Sequence, residues 1–289
     1  MKCFKIAWRG SERDAKTAYT ALSELIDPPA DAVSIGQASK QVWRLDAYFE
    51  QPPENFSQFD TLIRQGTKLP PGKIEELPDV DWVATSLEGL GIIRCGRFVL
   101  YGIHDADKLD LGADDIAIRI DANLAFGTGH HPTTAGCLTL LSRFAGFAPK
   151  SVLDLGCGSG VLALAAAKLW GREVLASDID PESITIAAEN ATLNDAGDKV
   201  TTICAPGFDH ETIAAAAPFD FVFANILAGP LRELAPTMAQ QISKNGRVML
   251  AGLMAEQEDK VVEAYSDAGF RLINRLDHET WPVLLLVRQ

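Results

Sequence analysis

The fold of this chain is decided by residues 152–160, which read Val152-Leu153-Asp154-Leu155-Gly156-Cys157-Gly158-Ser159-Gly160. An apolar strand ends at Leu155, and three alternating glycines open a helix, because glycine lets the backbone turn sharply and approach a ligand. A second acid, Asp178, ends the next predicted strand, 22 residues after Gly156. Such an acid can accept hydrogen bonds from ribose hydroxyls. The pattern therefore predicts a site for an adenosine-bearing cofactor.

Three cofactors share this kind of turn: nicotinamide dinucleotides, flavins and S-adenosyl-L-methionine. The spacing here is G-x-G-x-G, so Gly160 falls one position early for the dinucleotide fingerprint G-x-G-x-x-G. Asp154 stands two residues before the first glycine, where it would repel a pyrophosphate but attract a cationic sulfonium and its amino group. These two features favour S-adenosyl-L-methionine, with a nicotinamide-dinucleotide oxidoreductase as the alternative.

The second part of the chain, residues 111–289, alternates predicted strands and helices. The strands are predicted at 151–155, 173–178, 200–204, 219–224, 247–252, 271–276 and 283–287, and the helices at 160–170, 181–194, 229–243 and 255–268. This alternation predicts an α/β fold with a seven-stranded, doubly wound, Rossmann-like sheet. Only residues 277–281 separate the last two strands, so the final strand is expected to run antiparallel in a hairpin.

The first part, residues 1–75, is predicted to form a smaller α+β domain. Strand-like runs occur at 4–8, 32–35, 42–49 and 80–85, and helical patterns at about 11–26 and 55–65, the first capped by Ser11 with Asp14. The order β-α-β-β-α-β fits a ferredoxin-like fold. Residues 76–110 are interpreted as a connector between this domain and the α/β domain.

Composition excludes several classes of protein. No stretch reaches the roughly 18 apolar residues of a membrane span, and the start lacks the apolar region of a secretion signal, so we expect a cytoplasmic protein. The five cysteines contain no C-x-x-C pair, which disfavours a disulfide framework and a structural zinc site. No metal is predicted. Hydrolase and P-loop motifs are also absent from the sequence.

The chain is acidic, with a net charge of −13. Residues 1–110 carry 13 basic and 17 acidic side chains, and residues 111–289 carry 13 and 22, so neither part is basic. Tight binding to bare nucleic acid needs many contacts from Lys or Arg to phosphate, so no direct nucleic-acid partner is predicted. The acidity favours a cationic partner, although solubility alone would also explain it.

Four separated motifs together resemble one enzyme family. They are L-A-F-G-T-G-H-H-P-T-T at 124–134, D-L-G-C-G-S-G at 154–160, D-I-D-P at 178–181 and N-I-L-A at 225–228. In order and spacing they resemble the PrmA-like methyltransferases that modify ribosomal protein L-eleven (L11) of the large subunit. The resemblance covers about residues 117–289. It implies a class I methyltransferase fold, S-adenosyl-L-methionine as cofactor, and methylation of lysine side chains of this basic protein, with its N-terminal amine as a further candidate.

The resemblance also implies roles for individual residues. The cofactor-binding residues would be Phe126, Gly127, Thr128, Thr134, Asp154, Gly156, Gly158, Asp178, Ile179 and Asn225, and Asn225 would also be catalytic. Pro132 starts a helix, so the Thr134 hydroxyl lies near a helix N-terminus. Asn225 follows a predicted strand, at the edge of the sheet where ligands bind. Its amide oxygen could accept a bond from a neutral amine and aim the lone pair.

Some points stay open at this stage. His130 stands where the family usually has threonine, and His131 could cap or pack as readily as act in catalysis. Asp220 and Glu233 lie near Asn225 in sequence, but neither is assigned as a base. The first domain is expected to recognise the substrate. A methyltransferase for another protein or small amine, and a cofactor-binding module without catalysis, remain alternatives.

Overall fold

The computed structural model describes residues 3–24, 30, 32–39, 42–49, 51, 55–77, 91–120, 132–278 and 280–289. The chain divides into two compact units, Met1–Asp81 and Trp82–Gln289. Among the described residues, no helix combines the length and hydropathy that crossing a membrane requires.

The first unit is an antiparallel sheet with two helices. Its elements are β1 (Cys3–Gly10), α1 (Glu12–Ser23), β2 (Ala32–Ser39), β3 (Val42–Phe49), α2 (Phe56–Arg64) and β4 (Lys73–Leu77). The strands lie in the order β2-β3-β1-β4. Phe59 of α2 packs edge-on against Trp8 and Phe49, with ring centroids 5.9 and 5.7 Å apart. Ser11 caps α1 by accepting a hydrogen bond from the Asp14 amide, as predicted.

The fourth strand lies earlier in the chain than the sequence prediction placed it. β4 spans Lys73–Leu77 and extends past the predicted domain end at residue 75, whereas 80–85 falls outside the described residues. Three of its five residues are charged, which hides the apolar alternation of a strand. Among the described strands, β4 pairs with β1 alone and is an edge strand, where charged side chains are common.

The second unit is the predicted α/β domain. Its elements are β5 (Ile93–Cys95), β6 (Phe98–Tyr101), β7 (Ile116–Arg119), α3 (Pro132–Leu141), β8 (Val152–Leu155), α4 (Val161–Trp170), β9 (Val174–Asp178), α5 (Pro181–Leu193), β10 (Val200–Cys204), α6 (Glu211–Ala216), β11 (Phe219–Asn225), α7 (Ala228–Gln241), β12 (Ile242–Ala251), α8 (Glu258–Asp267), β13 (Phe270–His278) and β14 (Trp281–Arg288).

The described residues of this unit form a large mixed sheet of seven strands, in the order β10-β9-β8-β11-β12-β14-β13. Strands β8 to β12 run parallel, and β14 runs antiparallel to both β12 and β13. The Rossmann-like α/β fold expected from the sequence is therefore confirmed. The central strands are apolar on both faces: Phe221 and Phe223 face one core and Val222 the other.

Two predicted helix boundaries differ from the structure, and one short helix was not predicted. β12 begins at Ile242, where a helix was predicted to continue to 243. A 3-10 turn, Ala255–Gln257, precedes α8, so the α-helix starts later than 255. α6 was not predicted, because six residues are too few to show a helical period.

The predicted connector, residues 76–110, contains part of a second sheet. β5 pairs antiparallel with β6, and β6 pairs parallel with β7, so this three-stranded sheet crosses the predicted boundary at 110. The run at 97–101 is β-prone in sequence and becomes β6, but strands of three and four residues are too short for the sequence to show which sheet they join. The connector residues from 91 onward thus pair within the second unit, whereas 76–77 belong to β4 of the first.

Candidate active site

The glycine turn after β8 adopts the backbone that its sequence predicts. Gly156, Gly158 and Gly160 have φ of +71°, +51° and +78°, in the left-handed region that side chains disfavour. The amides of Gly156 and Cys157 donate to the carbonyl of Ser177 at 2.8 and 3.0 Å, which fixes the turn to the end of β9. A methyl group on Gly156 would collide with the side chain of Ile226. The turn therefore has no room for a larger residue at its first position.

Asp178 ends β9 and holds the other side of this turn. One carboxylate oxygen accepts from the Gly158 amide at 2.9 Å, and the other accepts from the Asp180 amide at 3.1 Å. Burial raises the pKa of Asp178, although these amide bonds oppose the shift. The next residue, Ile179, is 72% exposed, an unusual fraction for an isoleucine. A carboxylate and an apolar side chain thus stand together beside the glycine turn.

Asp154 lies beneath the turn and has one unpaired oxygen. Its Oδ2 atom accepts from the Ala163 amide at 2.9 Å, in the first turn of α4. Its Oδ1 atom is buried and accepts no hydrogen bond from any residue that the structure describes. Burial raises the pKa of Asp154 to about 7, and the charge of Asp178 adds to the shift. A buried oxygen without a donor is costly unless a ligand or water supplies one.

Asn225 ends β11 and contacts the start of α3. Its Nδ2 atom donates to the hydroxyl of Thr134 at 3.3 Å, across 91 residues of sequence. Its Oδ1 atom is buried and has no hydrogen-bond partner within the described ranges. Thr134 is itself 1% exposed. The two predicted site residues therefore form one unit, with a single amide oxygen left to accept a bond from a bound molecule.

Two asparagines, one in α5 and one at its C-cap, hold backbone segments around the site, and neither was predicted from the sequence. Asn190 donates to the carbonyl of Ser159 in the glycine turn at 2.9 Å. Asn194 accepts from the Arg119 amide at 2.9 Å and donates to the Arg119 carbonyl at 2.6 Å, so it pairs with the end of β7. Their spacing of four residues places both asparagines on one helix face, and buried asparagines need hydrogen-bond partners. That spacing is the sequence feature that could have indicated their role.

The structure brings together most of the predicted site residues. Thr134, Asp154, Gly156, Gly158, Asp178, Ile179 and Asn225 lie at or next to the carboxyl ends of β8, β9 and β11 or at the start of α3. Phe126, Gly127, Thr128, His130 and His131 lie outside the described residues.

Asp220 lies at the other end of β11. Its two oxygens accept from the Lys150 amide and the Ser243 hydroxyl, both at 2.8 Å. Five strand positions separate it from Asn225, a distance of roughly 16 Å. Asp220 therefore stabilises the opposite edge of the sheet. In the part of the chain that the structure describes, no cluster of three or more metal-ligating side chains occurs.

Comparisons with known proteins agree with this geometry. The family model for "Ribosomal protein L11 methyltransferase (PrmA)" matches residues 11–289. The chain belongs to this family. A relative of that name from Brucella suis is 40% identical over 286 residues, which cover 98% of each chain. Another from Mesorhizobium japonicum is 48% identical over 217 residues, covering 75% of this chain and 74% of the relative.

A solved structure extends the family comparison to three dimensions. The crystal structure of ribosomal protein L11 methylase from Lactobacillus delbrueckii subsp. bulgaricus matches with a TM-score of 0.61 and 31% identity. The match covers 69% of this chain and all of that one. The second unit thus has the class I methyltransferase fold that the sequence motifs implied.

The cofactor that this family implies is S-adenosyl-L-methionine, and the described residues fit it. The unpaired Asp154 oxygen suits a cationic or N–H donor group. The Ile226 side chain packs against the backbone at Gly156, and the exposed Ile179 offers an apolar surface next to Asp178. The site therefore provides acidic side chains and an apolar contact near the glycine turn.

Proposed function

We propose that this protein transfers methyl groups from S-adenosyl-L-methionine to lysine side chains of ribosomal protein L11, with the N-terminal amine of L11 as a further acceptor. The observation that carries the proposal is the Asn225 amide. Its nitrogen donates to Thr134, and its buried oxygen, beside the glycine turn, has no hydrogen-bond partner among the described residues. Membership of the L11 methyltransferase family supports the same substrate.

In this proposal, the cofactor is held along the carboxyl ends of β8 and β9. Asp178 would accept hydrogen bonds from the ribose hydroxyls, and Ile179 would pack on the base. Asp154 would face the amino group, with the backbone at Gly156 and Gly158 close to the cofactor. The segment with Phe126, Gly127, Thr128 and Thr134 would cover the cofactor, as the family resemblance implies. When bound, the cofactor supplies a methyl group activated by a cationic sulfur.

The residues of this chain would prepare the acceptor nitrogen. A free lysine, with a pKa near 10.4, carries a proton and has no lone pair to offer. Entry into the partly buried edge beside Asn225 disfavours the charged ammonium, which would release a proton to water. The Asn225 Oδ1 atom then accepts one N–H of the neutral amine. That bond holds the amine so that its lone pair points at the methyl carbon, which is the geometry that a direct displacement requires.

Substrate recognition is assigned to the first unit, interpreted as a ferredoxin-like domain over residues 1–75. The element order β-α-β-β-α-β and the strand order β2-β3-β1-β4 support this interpretation. A net charge of −13 suits a basic protein substrate and disfavours direct binding to nucleic acid. The proposal includes a cytoplasmic location and S-adenosyl-L-methionine as the only cofactor.

The test is methyl transfer to purified L11, followed by mass spectrometry of the product. We expect methylated lysines with the wild-type protein, a loss of roughly 100-fold or more with Asn225→Ala, and no loss with the surface control Thr192→Ala. Calorimetry should show binding of S-adenosylhomocysteine and none of nicotinamide dinucleotides. Binding with no methylation of L11 would contradict the substrate. Binding of the dinucleotide instead would contradict the reaction class.

A further inference from the structure

The Asn225 amide can point either its oxygen or its nitrogen at the acceptor amine, and the proposed reaction requires the oxygen. Its two ends have nearly the same size, but the oxygen accepts a hydrogen bond and the nitrogen donates two. A neutral amine that approaches the oxygen can donate an N–H and keep its lone pair for the methyl carbon. If the amide turned by 180°, its NH₂ group would compete for that lone pair. The reaction therefore needs a neighbour that fixes which end faces the acceptor.

The structure shows one such neighbour among the described residues, Thr134. The Thr134 hydroxyl oxygen lies 3.3 Å from the Asn225 Nδ2 atom and accepts its hydrogen bond, while Oδ1 stays buried and unpaired. Thr134 is buried and Asn225 is half-buried with a buried Oδ1 atom, and an unmade hydrogen bond in such a place carries a larger penalty than at the surface. The hydroxyl thus favours the orientation in which the oxygen is free.

The helix that carries Thr134 is itself fixed. Gly136, two residues later, packs so closely on β13 and β14 that an added methyl group would lie 2.8 Å from the Val283 side chain and 3.3 Å from His278. The opposite partner is equally constrained, because Asn225 ends a central strand that pairs with Ala251 of β12. The distance between hydroxyl and amide is therefore set by the packing of the two elements.

We infer that Thr134 is a positioning residue for methyl transfer: its hydroxyl holds the Asn225 amide so that the oxygen faces the acceptor nitrogen. This inference rests on the proposed function and deepens it. It differs from the role that the family resemblance implies for Thr134, a contact with the cofactor. Loss of a cofactor contact at Thr134 would weaken binding of S-adenosylhomocysteine in step with turnover, whereas loss of amide orientation would lower turnover of the amine far more than that affinity.

The experiment removes the hydroxyl and keeps the shape of the side chain. Thr134→Val has the same branched form, and Thr134→Ser keeps an acceptor at the same position. We expect Thr134→Val to lower kcat for L11 roughly tenfold, the effect of one hydrogen bond, with the Kd of S-adenosylhomocysteine within about twofold of wild type. Thr134→Ser should keep kcat within about threefold of wild type.

A second background isolates the coupling between the two side chains. In Asn225→Ala there is no amide to orient, so adding Thr134→Val should lower the remaining kcat by less than about twofold. The inference is overturned if Thr134→Val has wild-type turnover, if cofactor affinity falls in step with kcat, or if the loss is as large in the Asn225→Ala background. Should Thr134→Val unfold, Thr134→Ala removes the same acceptor and gives the same readout.

Failure of the proposed function would look different. In that case the wild-type protein would leave L11 unmethylated, and both statements would fall together. If the wild-type enzyme methylates L11 but Thr134→Val weakens cofactor binding, the proposed function still holds. Thr134 would then be a cofactor-binding residue and not a positioning residue for Asn225.

Discussion

Position 156 requires glycine for two reasons: its backbone is left-handed, and the Ile226 side chain occupies the space of a β-carbon. Its φ is +71°, and a methyl group there would meet the Ile226 side chain. Gly171 has a similar φ of +63° but open space around it, so it is a matched control. We expect Gly171→Ala to cost about 1 kcal/mol of unfolding free energy and Gly156→Ala about 2–4 kcal/mol, together with weaker binding of S-adenosylhomocysteine. Denaturant unfolding and calorimetry measure both. Equal losses of unfolding free energy in the two variants would show that Ile226 moves aside without cost, which would contradict the prediction.

Asp154 makes stability depend on pH. Burial raises its folded-state pKa from 3.8 to about 7, so the folded chain holds the proton more tightly than the unfolded chain does. The resulting stabilisation is complete below pH 3.8 and is lost as pH rises to about 7. Between pH 5 and pH 8, the wild-type unfolding free energy should therefore fall by roughly 2–3 kcal/mol relative to Asp154→Asn. The exposed control Asp198→Asn should show the same change of unfolding free energy with pH as the wild type. If Asp154→Asn also showed that same change, the prediction would be contradicted.

The glycine turn and its two acids were the easiest part of the proposed site to predict. Asp154, Gly156 and Asp178 lie within short motifs, where spacing alone indicates the turn. Asn194 and the partner of Asn225 were not predictable in this way. Both make contacts over long sequence separations, and only the folded chain shows that Thr134 meets Asn225 or that Asn194 meets Arg119.

At the scale of elements, Asn194 closes the free edge of β7. Its side chain exchanges two hydrogen bonds with the backbone of Arg119, as a neighbouring strand would, and donates a third to the Asn190 carbonyl at 2.8 Å. Asn194→Ala should lower the unfolding free energy by about 1–3 kcal/mol and speed hydrogen exchange of the Arg119 amide. Thr192→Ala, an exposed change in the same helix, should stay within about 0.5 kcal/mol of wild type. Unchanged exchange at Arg119 would contradict the role of the edge contact.

Element length decided which parts of the fold could be predicted. The strands of the large sheet are apolar on both faces and alternate with helices, so β8, β9 and β11 were found close to their observed bounds. β5 and β6 are too short for the sequence to show which sheet they join, and β4 is an edge strand rich in charge. Their places depend on pairing with β1 and β7, a tertiary effect that local pattern does not contain.

At the scale of the whole molecule, the net charge of −13 should govern how the enzyme meets its substrate. Opposite charge raises the rate of encounter, and salt screens it: the screening length falls from about 14 Å at 50 mM to about 6 Å at 300 mM. Over that range the KM for basic L11 should rise roughly threefold to tenfold, because encounter slows. The KM for S-adenosyl-L-methionine should change less than about twofold, because the contacts proposed for that cofactor are short-range. Steady-state methylation at several salt concentrations, with each reactant varied in turn, measures both. A KM for L11 that does not change with salt would mean that the acidity of this chain serves solubility and not recognition, which was the other interpretation of its composition.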